Sequence, residues 1–217
     1  MAIKHETVGK VKGDVLEAEE WNAEHAVAGF ESTGQITLSG DGLTILEFRP
    51  ELDFDKIRGN AGIPTTVYRG LFKGSSLPIF DDDNEELSFD LCMPNRWDGQ
   101  SDITVHVYCR LAGAEDTKNF KLRLAWEKYT PGTDVVPETS NLVEVQTATG
   151  ASAVEGQSYV VEFTIDYDID TPDVMAIDDR MSLRLRRIAA TENDCAGEII
   201  IEHVGLVIRR NKIGGAA

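Results

Sequence analysis

Positive charge is scarce in this chain. Its 217 residues include 21 Lys and Arg against 38 Asp and Glu, so the formal net charge is −17 at pH 7. Binding to the phosphates of nucleic acids depends on clustered Lys and Arg, and anionic membrane surfaces attract basic segments. The charge therefore argues against both kinds of partner, and we expect the protein to bind neither nucleic acid nor a membrane.

Long hydrophobic runs are also missing. No apolar run is long enough to span a bilayer, and residues 1–10 contain no apolar segment of the kind that secretory signals have. We therefore expect a protein that is made in a cytoplasm and stays there until it is assembled or released by lysis.

Cysteines are few, odd in number and widely spaced. Cys92, Cys109 and Cys195 form no C-x-x-C pair, which argues against a disulfide framework and against a zinc site. Cys92 and Cys109 each lie in an alternating apolar run. We therefore expect free thiols that are buried and pack as small hydrophobic side chains.

Catalytic sequence motifs are lacking as well. No G-x-S-x-G, Walker or G-x-G-x-x-G segment follows a predicted strand. No histidine lies at ligand spacing from a Cys or from another His; the four are His5, His25, His106 and His203. The sequence therefore predicts a protein that is not an enzyme and that has no cofactor and no metal.

Two acidic clusters, at residues 81–86 and 166–173, raise the alternative of bound calcium, which takes six to eight oxygen ligands. Neither cluster has the spacing of an EF-hand loop. Runs of like charge are usually solvated loops, so the metal-free prediction stands.

A short helix is predicted over residues 15–25. Asp14 is a helix-capping residue type, and Glu17 follows it at the spacing of a capping box. Ala18, Trp21 and His25 share one helical face. Since a helix of about three turns is not stable by itself, it needs another surface against which to bury Trp21. Together with one or two short strands, it forms a predicted attachment segment over residues 1–64.

From residue 65 onward, apolar and polar residues alternate with a period of two, which predicts strands with one buried and one wet face. The eight predicted strands span residues 65–72, 87–93, 102–111, 119–129, 142–148, 158–169, 181–188 and 198–210. Parallel strands need helical crossovers, and no long helix is predicted between these strands, so they pair antiparallel. The sequence thus predicts an all-β protein with an antiparallel β-sandwich over residues 65–217, and favours a jelly roll.

Arginines are concentrated near the end of the chain. In the predicted strand 181–188, Arg184 and Arg186 alternate with apolar residues, and Arg187 follows them. On so acidic a protein, these three arginines are candidates for contact with the acidic surface of another copy. Cross-strand pairs with Glu or Asp of the same chain are the alternative.

The segment GDVLEAEEWNAEHAVAG, residues 13–29, resembles the openings of minor virion structural proteins of tailed bacteriophages and related viruses. The common pattern is a Gly-Asp, a short acidic helix, Trp-Asn-x-x-His and small apolar residues before a Gly. The matching positions here are Gly13, Asp14, Trp21, Asn22, His25 and Gly29. The resemblance implies a location in the virion and attachment through Trp21, Asn22 and His25. The later strands are similar in pattern to small virion jelly rolls.

The resemblance favours a virion structural protein: a capsid decoration, spike-base or connector subunit that docks on other virion proteins through its N-terminal segment. Because virion decorations and spikes commonly have such symmetry, we expect a homo-oligomer, with a trimer favoured. The expected localisation is the virion, after assembly in the host cytoplasm.

The alternative is a carbohydrate- or receptor-binding β-sandwich module of a tail fibre or spike. Such a module needs exposed aromatic side chains on one sheet face. The alternation predicts that Trp126 points inward, which leaves Tyr108, Tyr129 and Trp97 as candidates for exposure. A glycan depolymerase is the third possibility, and the lack of catalytic motifs makes it the weakest.

Overall fold

The computed structural model describes residues 27–30, 36–38, 44–48, 64–78, 86–94, 97–134, 139–169, 175–210 and 212–213. These residues form strands, turns and bends; none lies in a helix long and apolar enough to cross a membrane. The predicted helix at 15–25 lies outside them. The strands are β1 (Val27–Phe30), β2 (Ile36–Leu38), β3 (Thr44–Phe48), β4 (Thr65–Arg69), β5 (Phe72–Leu77), β6 (Leu87–Cys92), β7 (Ile103–Leu111), β8 (Asn119–Tyr129), β9 (Asn141–Ala148), β10 (Ser158–Ile165), β11 (Arg180–Ile188), β12 (Ile199–Arg210) and β13 (Lys212–Ile213).

The chain divides into two compact units. One consists of Met1–Leu43 with Asn211–Ala217, and the other of Thr44–Arg210. In the first unit, β1, β2 and β13 form a three-stranded sheet in which β2 is central and both pairings are antiparallel.

Two antiparallel sheets make up the larger unit. The first has the order β10-β7-β12-β5-β4, and β3 also pairs with β12. The second has the order β6-β11-β8-β9. Buried side chains of both sheets form one hydrophobic core. The predicted all-β, antiparallel, jelly-roll-like sandwich is thereby confirmed.

The core follows from the period-two alternation. In β7 the buried side chains are Ile103, Val105, Val107 and Cys109, and the residues between them are half-buried or point to the outer face. In β11, Met181, Leu183 and Leu185 alternate with half-buried residues in the same way. Burial of an apolar side chain of this size stabilises a fold by about 1.5–3 kcal/mol, so the alternation decides which face of each strand is packed.

The structure differs from the predicted strands at the N-terminal side. The single strand predicted at 65–72 is a hairpin of β4 and β5, with Arg69 opposite Phe72 and a turn at Gly70 and Leu71. The strand Thr44–Phe48, which the sequence pattern assigns to the attachment segment of residues 1–64, pairs with β12 and belongs to the larger unit.

The three cysteines are free. Cys109 is buried as predicted, and Cys195 is buried as well, but Cys92 is exposed, so the prediction of burial was wrong there. The reason is the parity of β6: Leu87, Phe89 and Leu91 point into the core, and the next residue points out.

Candidate functional site

The outer face of the six-stranded sheet carries the candidate site. Because side chains alternate along β7, its outward residues are Thr104, His106, Tyr108 and Arg110. The neighbouring strands add their own outward residues opposite these positions, with Val160 beside Tyr108 and Glu162 beside His106. One face of β7 thus forms the core, and the other forms a strip of polar and aromatic groups.

A bulge in β12 shapes this strip. Ile201 lies opposite Cys109, whereas His203 lies opposite Tyr108, so Glu202 is an extra residue between two regular pairs. Bulges commonly re-aim side chains next to functional sites. Here the Nε of Arg110 donates a hydrogen bond of 2.8 Å to Oε1 of Glu202.

Aromatic and imidazole rings occupy the middle of the strip. The rings of Tyr108 and His203 lie 5.5 Å apart at an interplanar angle of 34°, and those of Tyr108 and His106 lie 6.2 Å apart, edge to face. Nε2 of His106 lies 3.4 Å from a carboxylate oxygen of Glu162. The rings of His106 and His203 therefore flank Tyr108.

A cavity of about 660 Å³ lies at one end of the strip. The hairpin tip forms one side of it, with Gly70, Leu71 and Phe72, while Arg110 and Glu202 belong to the sheet side. Gly70 has a φ of 60° at the first of two turn positions, as a type II′ hairpin turn requires. This turn leaves Leu71 99% exposed and Phe72 73% exposed.

An exposed ion pair lies between the hairpin tip and the loop before β10. Nη1 of Arg69 lies 2.6 Å from Oε1 of Glu155. The guanidinium also packs onto Gly156, where an added Cβ would lie 2.3 Å from Cζ of Arg69. Gly156 has a φ of 80°, a backbone conformation that favours glycine, and its lack of a side chain lets the guanidinium of Arg69 approach closely.

A second cavity, of about 480 Å³, lies at the opposite end of the strip. Its lining includes Thr104 of β7, Val207 and Arg209 of β12, and Tyr167. The ring of Tyr167 contacts the buried ring of Trp97 edge to face at 6.3 Å. Packing on Trp97 therefore fixes the aromatic group at this end.

The second sheet has a different outer face, on which charges are paired. Lys121 and Arg123 both contact the carboxylate of Glu144, and their hydrogen bonds lower its pKa. Arg184 lies 3.8 Å from Glu86. Burial is the main cause that lowers the pKa of Arg186.

The predicted subunit-contact residues separate into two groups. Arg184 and Arg186 lie half-buried on this outer face, with Arg184 in the intramolecular pair that the sequence left as the alternative. Arg187 is only 1% exposed, and its guanidinium contacts Asp194, Gly197 and Cys195. Because its strand parity points it inward, Arg187 is held inside the fold and its side chain is not available for contact with another copy.

The other predicted site residues have different outcomes. Trp21, Asn22 and His25 lie outside the described residues, so their role in attachment stays a prediction. Trp126 is buried as predicted, whereas Trp97, a candidate for exposure, is buried as well.

The acidic clusters form no metal site in the part of the chain that the structure describes, where no group of three or more His, Cys, Asp or Glu side chains converges to hold an ion. Residues 81–85 and 170–173 of the two clusters lie outside that part. Next to Tyr167 of the second cavity, a side-chain hydrogen bond with Asp166 is the main cause that raises the pKa of Asp168.

Sequence reasoning missed the hairpin tip and the pair of Arg110 and Glu202. Arg110 shares the outward parity of Tyr108, so alternation alone places it on this face. No sequence signal marks the bulge at Glu202, because a bulge depends on the register with a strand about 90 residues away.

The chain is similar to known proteins in structure, but its sequence matches no known family. No family model matches the chain, and no curated protein matches it. Among solved structures, the xylan-binding module CBM15 is 14% identical, covers 77% of this chain and 97% of its own, and has a TM-score of 0.40. A non-crystalline cellulose specific carbohydrate-binding module, CBM28, is 15% identical over 65% of this chain and 78% of its own, with a TM-score of 0.33.

A third similar structure is the family 11 carbohydrate-binding module from Clostridium thermocellum, solved with a mixed-linked tetrasaccharide. It is 11% identical over 79% of this chain and 87% of its own, with a TM-score of 0.33. Similarity at this level says nothing of what the present chain binds.

Proposed function

We propose that this protein is a non-catalytic binding module that holds a saccharide chain along the outer face of its six-stranded sheet. The observation that carries the proposal is the arrangement of two cavities at opposite ends of one sheet face, joined by the strip around Tyr108. Binding, without turnover, is also what the lack of catalytic motifs in the sequence favours.

The dimensions of the strip fit an extended ligand. Arg110 borders the first cavity, and Thr104 borders the second. They are six positions apart on β7, which at roughly 3.3 Å per residue corresponds to about 20 Å. A short oligosaccharide spans this length, whereas a single small metabolite does not.

The chemistry of the strip also fits a saccharide. Sugar rings have apolar C–H faces and hydroxyl edges, and they need both apolar ring surfaces and polar groups in the protein. Tyr108, Phe72 and Tyr167 supply aromatic surface, while Arg110, Glu202 and Glu162 supply donors and acceptors. The net charge of −17 argues against a nucleic-acid ligand on the same face.

Affinity gel electrophoresis tests the proposal. The native chain is run through gels that contain one soluble polysaccharide each: β-glucan, arabinoxylan, galactomannan, alginate or polygalacturonate. We expect at least one of them to retard the protein. We expect Tyr108→Ala to weaken that binding about tenfold or more, as removal of a central aromatic contact does in other interfaces.

Two further variants show whether binding depends on the strip. Val160→Arg adds bulk at an exposed position beside Tyr108, so it blocks the strip without removing a packed ring. Leu142→Ala is the matched control, because Leu142 is 54% exposed on a strand of the other sheet. The proposal is wrong if no polysaccharide retards the native chain, or if the strip variants bind as well as Leu142→Ala.

The virion role remains a prediction from sequence. It rests on Trp21, Asn22 and His25, and the strip described above is compatible with a binding module inside or outside a virion. Association with other virion proteins and trimer formation likewise stay predictions.

A further inference from the structure

One polar side chain that lines the cavity at the hairpin tip does not make all of its hydrogen bonds. Arg110 lines this cavity and is only 5% exposed. Its Nε is bonded to Glu202, but its Nη2 has no hydrogen-bond partner among the described residues. A buried guanidinium nitrogen without an acceptor is destabilising. Because Arg110 lines the cavity, a small shift of its side chain would bring Nη2 to a ligand oxygen and complete its hydrogen bonds.

Glu202 offers the complementary group at the same place. A carboxylate has about four lone-pair sites, and the one hydrogen bond that Oε1 accepts from Arg110 leaves others for a ligand. The side chain of Glu202 is about a quarter exposed, so a ligand can reach it. The cavity therefore presents a donor and an acceptor side by side.

The opposite wall of the cavity is apolar. At the hairpin tip Leu71 is almost fully exposed and Phe72 is largely exposed, and both line the same cavity as the Arg110–Glu202 pair. The exposed ion pair between Arg69 and Glu155 lies between this tip and the loop before β10. A flat group with one apolar face and polar edges would fill the space between the apolar side chains of the hairpin tip and the Arg110–Glu202 pair.

We infer that this cavity binds one ring of a neutral sugar through two adjacent hydroxyls, one accepting a hydrogen bond from Arg110 and the other donating one to Glu202. The apolar face of the ring packs against Phe72. This inference rests on the proposed saccharide-binding function and names its ligand class: a neutral polysaccharide and not an acidic one.

Charge favours the neutral ligand. The positive charge of Arg110 is already balanced by Glu202, and that of Arg69 by Glu155. A uronate carboxylate in the cavity would lie close to the carboxylate of Glu202 with no uncompensated cation beside it. A hydroxyl carries no charge and can both donate and accept, so it satisfies the pair without this repulsion.

The same gels test the inference with two cavity variants. Phe72→Ala removes an exposed ring and leaves the core intact, and Arg110→Gln removes the guanidinium, with both its unpaired Nη2 and its hydrogen bond to Glu202. For whichever of β-glucan, arabinoxylan or galactomannan retards the native protein most, we expect each variant to bind about tenfold more weakly, which corresponds to about 1.4 kcal/mol. Leu142→Ala, on the other sheet, is expected to bind as the native chain does.

The outcomes separate the two proposals. Stronger retardation by alginate or polygalacturonate overturns the inference and leaves the proposed function in place. The same is true if Tyr108→Ala loses binding while both cavity variants keep it. If no polysaccharide is bound, both proposals are wrong. Should Arg110→Gln fail to fold, as shown by its circular dichroism, Phe72→Ala decides the result.

Discussion

Nη2 of Arg187 lies 3.1 Å from Oδ1 of Asp194, which places a buried guanidinium at the connection between β11 and β12. The same nitrogen donates a 2.6 Å hydrogen bond to the carbonyl of Cys195, and Nη1 bonds the carbonyl of Gly197. One side chain of β11 therefore fixes three points of the loop that leads into the central strand of the first sheet.

Arg187→Ala should therefore cost much of the stability of the fold. Removing one partner of a buried ion pair typically costs about 3–5 kcal/mol, because the groups it satisfied stay buried. The free energy of unfolding, measured by urea denaturation, should fall by ~3 kcal/mol. Arg69→Ala is the control: its exposed pair with Glu155 is of a kind worth ~1 kcal/mol or less. Equal losses in the two variants would show that the loop is not held by Arg187.

Thiol labelling should distinguish the three cysteines. The thiolate is the reactive form, and burial raises the pKa of Cys109 to about 12 and that of Cys195 to about 11. Cys92 is exposed. With a chromogenic disulfide reagent at pH 8, we expect one thiol to react in the native protein and three in urea. Cys92→Ser should abolish the native reaction; a second native thiol would contradict the burial of Cys109 or Cys195.

Stability should fall at alkaline pH because of Cys109. Burial first, and Glu202 second, raise its pKa from 9.0 to about 12. The folded state thus holds the proton more tightly than the unfolded state does. The resulting stabilisation is complete below pH 9 and is lost as the pH rises toward 12.

A variant comparison isolates this contribution from other groups that titrate at alkaline pH. Between pH 9 and 11, the free energy of unfolding of Cys109→Ala should decline less steeply than that of the native chain. Cys92→Ala, at an exposed position, should follow the native slope. Urea denaturation at several pH values gives the three curves, and parallel curves for Cys109→Ala and the native chain would refute the expectation.

Strand alternation is the part of the fold that the sequence predicts well. The pattern in residues 102–111 identifies β7 and assigns Val105 and Val107 to the core, and the structure places them there. The same alternation also gives the orientation of two residues that the sequence analysis assigned incorrectly. Arg187 shares the inward parity of Leu185, and Cys92 has the outward parity of β6. Both residues were assigned by their residue type, although their positions in the strands give the orientation that the structure shows.

Other features depend on contacts that local sequence does not encode. A single glycine, Gly70, is the only turn signal between β4 and β5, and it is weak among β-forming neighbours. The pairing of β3 with β12 joins segments more than 150 residues apart. The Arg110–Glu202 pair likewise requires the bulge in β12. These elements of the candidate site arise from tertiary register and cannot be derived from periodicity.

The position of β12 in its sheet has a consequence for biosynthesis. β12 pairs with β7 on one edge and with β5 and β3 on the other, yet it is the last strand of its unit in chain order. During translation, the earlier strands of this sheet emerge from the ribosome before the strand that joins them. The edges of β3, β5 and β7 that pair with β12 lack their partner until Ile199–Arg210 has left the ribosome. During that period unpaired strand edges make the nascent chain prone to aggregation.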